Sequence, residues 1–426
     1  MSARPRVLAT VALLHVAFAT AAEAQSLAQK IANAPDGRVQ FSFASRDGAC
    51  GDGRTYMRVN LTGGNEFYGN YNSDVTSPPC ARGPVRVVLE TAAHTVIGMR
   101  VFVGPPSSSE SATDLGTVRS LDAAAYLLDL ASKGEGSVSQ NAIMPAMLAD
   151  SVNSQASLLA IARDQSRARE TRRSAISWLS RDGRVPSALS AQLLAIATDE
   201  SDNQSVRQAA LRTLARLDAG AGIPELMRLA NDKAGGWTAR EALTSLAQSG
   251  DPRSREYLRG VVRAAQLPDE ALATAVRSLG QQYATATDVA LIRTAWPKLA
   301  GTRAQDAAIS AITEFGGGEN AKWLLNLAGD PGTAPNNQRR ALTSAVRAGA
   351  PVSDLVALYN GTVDFQMKES IIGALAQNED KASTEKLLAI AKADDSITAR
   401  RRAIAALGRS TDPRVRKELE ALAQRQ

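Results

Sequence analysis

Two cysteines and two histidines in 426 residues are the first groups to test for chemistry, and they are few. A structural zinc site takes about four Cys or His ligands. His15 falls in an N-terminal leader-like segment. His94 sits in Thr91-Ala-Ala-His-Thr95 with no second His, Cys or acidic pair nearby to orient a proton transfer. The aspartates of Asp47-Gly-Ala-Cys-Gly-Asp-Gly53 lack the alternating acidic positions and terminal Glu of a calcium loop, so the segment reads as a Gly-rich turn. No G-x-x-x-x-G-K-[ST], H-E-x-x-H or G-x-S-x-G occurs. No metal or cofactor is expected, and the chain is expected to be non-catalytic. The enzymatic route left open is a site built from Asp and Glu alone.

Compartment decides how Cys50 and Cys80 are read. Arg4 and Arg6 precede an apolar run from Val7 to Ala22 that ends in Ala22-Glu-Ala24. A basic start, a short apolar stretch and an A-x-A site predict a signal peptide over residues 1–24 and an exported protein, periplasmic or extracellular. A membrane span needs about 20 apolar residues, and no second long run exists, so no stable membrane insertion is expected. In an exported chain an isolated Cys pair predicts a disulfide, and Cys50–Cys80 lacks the C-x-x-C spacing of redox motifs. Closing such a loop stabilises by about 3 to 4 kcal/mol in the chain-entropy model. The formal net charge of +6 is mild for this length and argues against nucleic acid as a partner.

The elements that must position these groups fall into two regimes. Phe41 to Phe102 holds seven aromatics, a density unlike the rest of the chain. Val39-Gln-Phe-Ser-Phe43, Thr55–Leu61, Val85–Leu89 and Val96–Val103 alternate apolar residues and are separated by Gly/Asp clusters. They predict a small antiparallel β domain of four to six strands over residues 25–104. Within it, Gly64–Asp74 carries Tyr68 and Tyr71 among Asn and Gly, as a binding loop or a plain hairpin excursion would. Pro105-Pro-Ser-Ser-Ser-Glu-Ser-Ala112 predicts a linker over residues 105–118.

From residue 119 to 426 one motif recurs: a small residue, an aliphatic one, two variable positions, then usually Leu. Its second position falls at 176, 211, 243, 276, 309, 342, 372 and 404, a spacing of 30 to 35 residues. An apolar helix precedes each copy, for example Leu193–Ala197 and Leu387–Ala391, and breakers such as Gly250-Asp-Pro252 and Thr411-Asp-Pro413 fall between helices. Each unit is therefore a helical hairpin that buries its apolar faces only by stacking on its neighbours. The predicted fold is mainly α: an α-α superhelix of about eight repeats plus caps, preceded by the small β domain.

Ala403-Ile-Ala-Ala-Leu-Gly-Arg-Ser-Thr-Asp-Pro-Arg-Val-Arg-Lys-Glu-Leu419 and Gly250-Asp-Pro-Arg-Ser-Arg-Glu-Tyr-Leu258 resemble HEAT repeats of the short type also found in phycobilin-lyase-like proteins. The resemblance covers residues 119–426. It implies a scaffold that binds a protein or peptide on the concave helix row, or alternatively a lyase-like or chaperone-like accessory acting on a protein-bound ligand. HEAT enzymes resembling deoxyhypusine hydroxylase bind metals through His-Glu pairs, and no His lies in this array.

Arginine recurs three positions before the motif's aliphatic residue at Arg173, Arg240, Arg339 and Arg401, with Arg207 one residue further back. Asp164, Asp199, Asp232, Asp330 and Asp394 precede these arginines by seven to nine positions. Opposite charges at matched offsets suggest a ladder linking repeats, as HEAT-like arrays use; a basic stripe that contacts a partner is the other reading. The densest cluster is Arg163, Arg167, Arg169, Arg172 and Arg173, a candidate anionic contact beside only Asp164 and Glu170.

Overall fold

The computed structural model describes residues 25–54, 56–61, 64–69, 80–105, 111–180, 186–281, 283–378, 380–410 and 412–424. The expected leader and Tyr71 lie outside them. The described chain divides into two compact units, one ending at Ile161 and the other beginning at Ala162.

The first unit opens on α1 (Leu27–Asn33), whose start is fixed by a capping box. The Ser26 hydroxyl accepts from the Gln29 N–H while the Gln29 side chain accepts from the Ser26 N–H. Among the described residues seven strands follow: β1 (Gly37–Phe43), β2 (Ala49–Gly51), β3 (Tyr56–Leu61), β4 (Gly64–Gly69), β5 (Val85–Ala92), β6 (Thr95–Val103) and β7 (Thr113–Thr117). They form a four-stranded sheet in the order β6-β5-β1-β7 and a three-stranded sheet in the order β2-β3-β4. Register explains the core. Val39, Phe41 and Phe43 of β1 stand opposite Leu89, Val87 and Val85 of β5, and all six are fully buried. Tyr68 lies in β4, opposite Met57.

The β5–β6 turn is Ala93-His94, both at positive φ (48° and 59°), and the Asp36 carboxylate accepts from both of their backbone N–H groups at 2.8 and 3.0 Å. His94 is thus a turn residue. The disulfide forms between Cys50 and Cys80, with Cα atoms 5.1 Å apart, and the next residues pair as well: Gly51 and Ala81 exchange two backbone hydrogen bonds. Two glycines are required here. A Cβ at Gly53 would come 2.0 Å from the Pro105 carbonyl oxygen, and one at Gly104 2.5 Å from the Gly51 oxygen, so only Gly lets these backbones cross.

Two expectations need correcting. Residues 105–118 are not all linker: β7 pairs with β1 in parallel, so the sheet is not wholly antiparallel, while the six strands described within residues 25–104 agree with the expected four to six. Thr-Asp-Leu-Gly-Thr carries almost no alternating apolar signal because β7 is a sheet edge held by backbone pairing. The second correction concerns the boundary at 119. Helices α2 (Ser120–Lys133) and α3 (Gly136–Met147) belong to the first unit. Tyr126 of α2 packs edge-on against Phe41 with ring centroids 6.2 Å apart, and burial pushes its phenol up to about 12. After α3, the Arg46 N–H donates to the Leu148 carbonyl and the Asp150 N–H to that of Ala44.

α4 (Gln155–Arg163) leads across the boundary. The second unit continues with α5 (Arg169–Leu179), α6 (Ser190–Thr198), α7 (Gln204–Leu214), α8 (Ile223–Ala230), α9 (Trp237–Gln248), α10 (Pro252–Ala264) and α11 (Asp269–Gly280). Then come α12 (Ala286–Ala295), α13 (Thr302–Phe315), α14 (Gly318–Gly329), α15 (Pro335–Arg347), α16 (Val352–Gly361), α17 (Phe365–Ala376), α18 (Lys381–Ala393), α19 (Ile397–Leu407) and α20 (Pro413–Ala423).

The odd-numbered helices from α5 to α19 carry the recurrent motif, and each packs on the next odd-numbered one. Even-numbered helices form a second layer, as in α8 on α10 on α12 and α14 on α16 on α18. Ile176, Leu211, Leu243, Val276, Ile309, Leu342 and Ile372 are buried; Ile404, in the last motif, is half-buried. Burial of the aliphatic position in seven successive hairpins is what the period foretold. No helix among the described residues is long and apolar enough to cross a membrane.

Candidate functional site

Within each hairpin of the array a short loop turns the chain into the motif helix, and the loop is built the same way repeatedly. Asp164, Asp199, Asp232, Asp330 and Asp394 each accept from the backbone N–H two residues on, at 2.9 to 3.1 Å. Hydroxyl and N–H donation from Ser166 holds the Asp164 carboxyl below the usual range, and Ser201 does the same for Asp199. These aspartates are therefore loop-formers first. Two also bridge repeats: Gln165 donates to Asp199 at 2.8 Å, and the Tyr359 hydroxyl donates to Asp394 at 2.8 Å.

Arginines early in the motif helices tie the loop down and then reach the next hairpin. Arg172 Nε donates to the Ala162 carbonyl at 2.9 Å while its two terminal nitrogens grip Asp202 at 2.6 and 2.5 Å. Both side chains are about 95% removed from solvent, at 5% and 4% exposure. Arg207 Nε donates to the Ala197 carbonyl, its Nη2 donates to Thr238, and its guanidinium lies 5.0 Å from the Trp237 ring centre. Arg240 donates to the Gly235 carbonyl and pairs with Glu270 at 3.0 Å. A ladder between repeats exists, then, but the carboxylates these arginines grip are Asp202 and Glu270, while the loop aspartates that bridge repeats do so through Gln165 and Tyr359.

Most members of the sequence-derived arginine set are elsewhere and differently occupied. Arg167 pairs with Asp164, Arg169 and Arg173 with Glu170, all locally and partly or largely exposed. Arg339 donates to Asn336 and Gln366. Arg163 and Arg401 are exposed with no ion-pair or hydrogen-bond partner among the described residues. The structure brings Arg163, Arg167, Arg169 and Arg173 together around the first loop of the array and leaves Arg172 buried beneath it.

One buried carboxylate lies outside the arginine–aspartate spacing of the sequence. Asp288 of α12 has no exposed side-chain surface and receives Arg255 Nε at 3.2 Å, Arg259 Nε at 2.8 Å and the Thr285 N–H at 2.9 Å. Burial alone would raise its pKa, but the bonds from Arg255, Thr285 and Arg259 outweigh burial and hold the carboxyl at about 2. The signal was present as Thr285-x-x-Asp288, a capping-box pattern.

At the far end of the array apolar side chains stand in solvent on the same loop edge. Phe365 and Ile397 are the first residues of α17 and α19, equivalent positions in packed neighbours, and are 37% and 58% exposed; Val363, in the loop before α17, is 99% exposed. The sequence period could have exposed this pair, since 365 and 397 lie one repeat apart. Among the described residues no three His, Cys, Asp or Glu converge in a way that could hold a metal ion.

Residues 190–280 match the family described as HEAT repeats. Among solved structures, human deoxyhypusine hydroxylase in complex with glycerol is similar at 15% identity and a TM-score of 0.25, covering 56% of this chain and 96% of that one. Lipovitellin, described for its lipid–protein interactions, is similar at 9% identity and a TM-score of 0.42, over 85% of this chain but 42% of its own length. No curated protein sequence matches. The stretch that matches HEAT repeats, residues 190–280, lies inside a solenoid of hairpins stacked in two layers on a 30- to 35-residue period.

Proposed function

We propose that the protein is a non-catalytic, extracytoplasmic interaction scaffold that binds a protein or peptide along the loop edge of its helical array. The observation that carries this reading is that edge itself. It presents Val363, Phe365 and Ile397 to solvent at one end, and at the other exposed Arg163, Arg169 and Arg173 with half-buried Arg167. Exposed apolar residues and arginine are each characteristic of interaction surfaces. Export rests on the leader pattern of residues 1–24 and suits a Cys pair closed as a disulfide.

The test is crosslinking in cells that express the full chain, followed by mapping the crosslinked residues. Crosslinks are expected at residues 163–173 and 363–401, and reversing Arg169 and Arg173 to Glu should deplete those at the first segment. Crosslinks confined to residues 25–150 would remove the array from the binding role.

A further inference from the structure

Tyr359, near the end of α16, is 3% exposed, and two ammonium groups lie against its ring: Lys386 Nζ at 4.9 Å from the centre and Lys368 Nζ at 5.2 Å. Lys368 comes from α17 and Lys386 from α18, so three successive helices build the cluster. Cations are attracted to an aromatic face, yet two on one ring repel each other. The carboxylate within reach electrostatically is Asp394, and its oxygens are engaged, Oδ2 by the Tyr359 hydroxyl and Oδ1 by the Ser396 N–H. Neither lysine makes an ion pair with a carboxylate among the described residues; Lys386 donates instead to the neutral Asn360 side chain at 2.7 Å. Two ammoniums against one carboxylate leave a net positive charge among half-buried side chains around the buried ring. Burial pulls the Lys386 pKa down; the pull of Asp394 opposes it, and the charge of Lys368 adds a smaller lowering. An incoming anion would relieve that repulsion.

The lysine cluster borders the exposed apolar group along the chain. Phe365 lies one turn before Lys368 on α17, so their side chains are neighbours on the helix surface. Ile397 opens α19 three residues after Asp394, and Arg400, one turn further, donates to the Asp394 carbonyl at 2.6 Å. We propose that Lys368 and Lys386 on the Tyr359 ring form a carboxylate seat, and that its occupant is an extended peptide segment in which Asp or Glu is flanked by aliphatic or aromatic residues resting on Val363, Phe365 and Ile397. The positive charge selects the acidic residue; the three exposed side chains select its apolar neighbours. This rests on the interaction reading above and narrows it to one place and one ligand chemistry.

The experiment uses the full chain and a fluorescent peptide alternating Glu with Leu, a matched peptide with Gln for Glu, and inorganic phosphate as competitor, read by anisotropy. The Glu peptide should bind at least about tenfold tighter than the Gln peptide, and K368Q/K386Q should abolish that preference. Because the double variant could disturb packing on Tyr359, Val363→Asp is the second probe. That side chain is 99% exposed, so its replacement leaves the fold alone and should weaken the Glu peptide several-fold. Bound peptide should slow amide exchange at residues 359–368 and 394–400. Equal binding of both peptides, or a Glu preference that survives K368Q/K386Q, overturns the seat. So does full displacement by phosphate with V363D neutral, which would mark a simple anion hole. Protection that falls elsewhere in the array overturns this site while the scaffold reading stands; a peptide that protects only residues 25–150 counts against both.

Discussion

Arg172 and Arg173 are adjacent and identical in type, yet one is a buried joint and the other a surface charge. Arg172 grips Asp202 with both side chains nearly fully buried, so Arg172→Gln strands a carboxylate and should cost about 3 to 5 kcal/mol. Arg173, 48% exposed, pairs among the described residues only with Glu170 one turn away, and Arg173→Gln should change stability by less than about 0.5 kcal/mol. Urea denaturation of the two variants checks the contrast; equal losses would refute it. The motif spacing pointed to Arg173, because positions three and four before the aliphatic residue share a helical face and period alone does not separate them. The partner was not legible either, since Asp202 comes from the next hairpin's loop. Asp288 gives a pH signature with a definite sign. Its carboxyl titrates at about 2 in the folded protein and near the ordinary 3.8 unfolded, so the unfolded chain takes up the proton first. Its contribution, no more than about 2 kcal/mol, is complete above pH ~4 and disappears as pH falls toward 2. Asp288→Asn should flatten that part of the stability profile, and urea midpoints at about pH 5 and pH 2.5 measure it.

The hairpin β5–β6 shows how an element can tolerate residues its turn disfavours. Ala93 and His94 both hold positive φ, a conformation that suits Asn-Gly, and Asp36 compensates by capping both N–H groups. The double substitution Ala93→Asn with His94→Gly keeps those backbone donors and should stabilise the first unit by about 0.5 to 1 kcal/mol. A lower melting temperature would show that the side chains, not the backbone, hold the turn. That a turn lay here was readable from the break between two alternating runs, whereas β7 was not readable at all. A strand whose side chains are mostly exposed has no reason to alternate, and its pairing with β1 depends on a crossover that no local pattern records. Helices α2 and α3 carry the same lesson in reverse. Their helical period is plain, but Tyr126 against Phe41 assigns the pair to the sheet, and an aromatic on a helix does not announce which surface it will meet.

Across the array, stability should follow how deeply each hairpin's motif residue is buried. Ile309 in α13 is fully buried, while Ile404 in α19 is half-buried. In a stack held by nearest-neighbour contacts, the less buried hairpins open first. Amide exchange should therefore be fastest in α18–α20 and slowest around α9–α13, and uniform protection would contradict this. The period was the most legible feature of the molecule because a one-dimensional stack writes its core into the sequence at fixed intervals. The contacts between repeats were less legible because their chemistry varies from joint to joint. Arg172 closes on a carboxylate, Arg207 on a hydroxyl and an indole, Arg240 on Glu270. The hairpins are thus alike in shape but not interchangeable. Excising one would seat an arginine against an acceptor shaped for another, so the order of repeats is specified by the joints, and a shuffled array would assemble its core while mismatching its couplings.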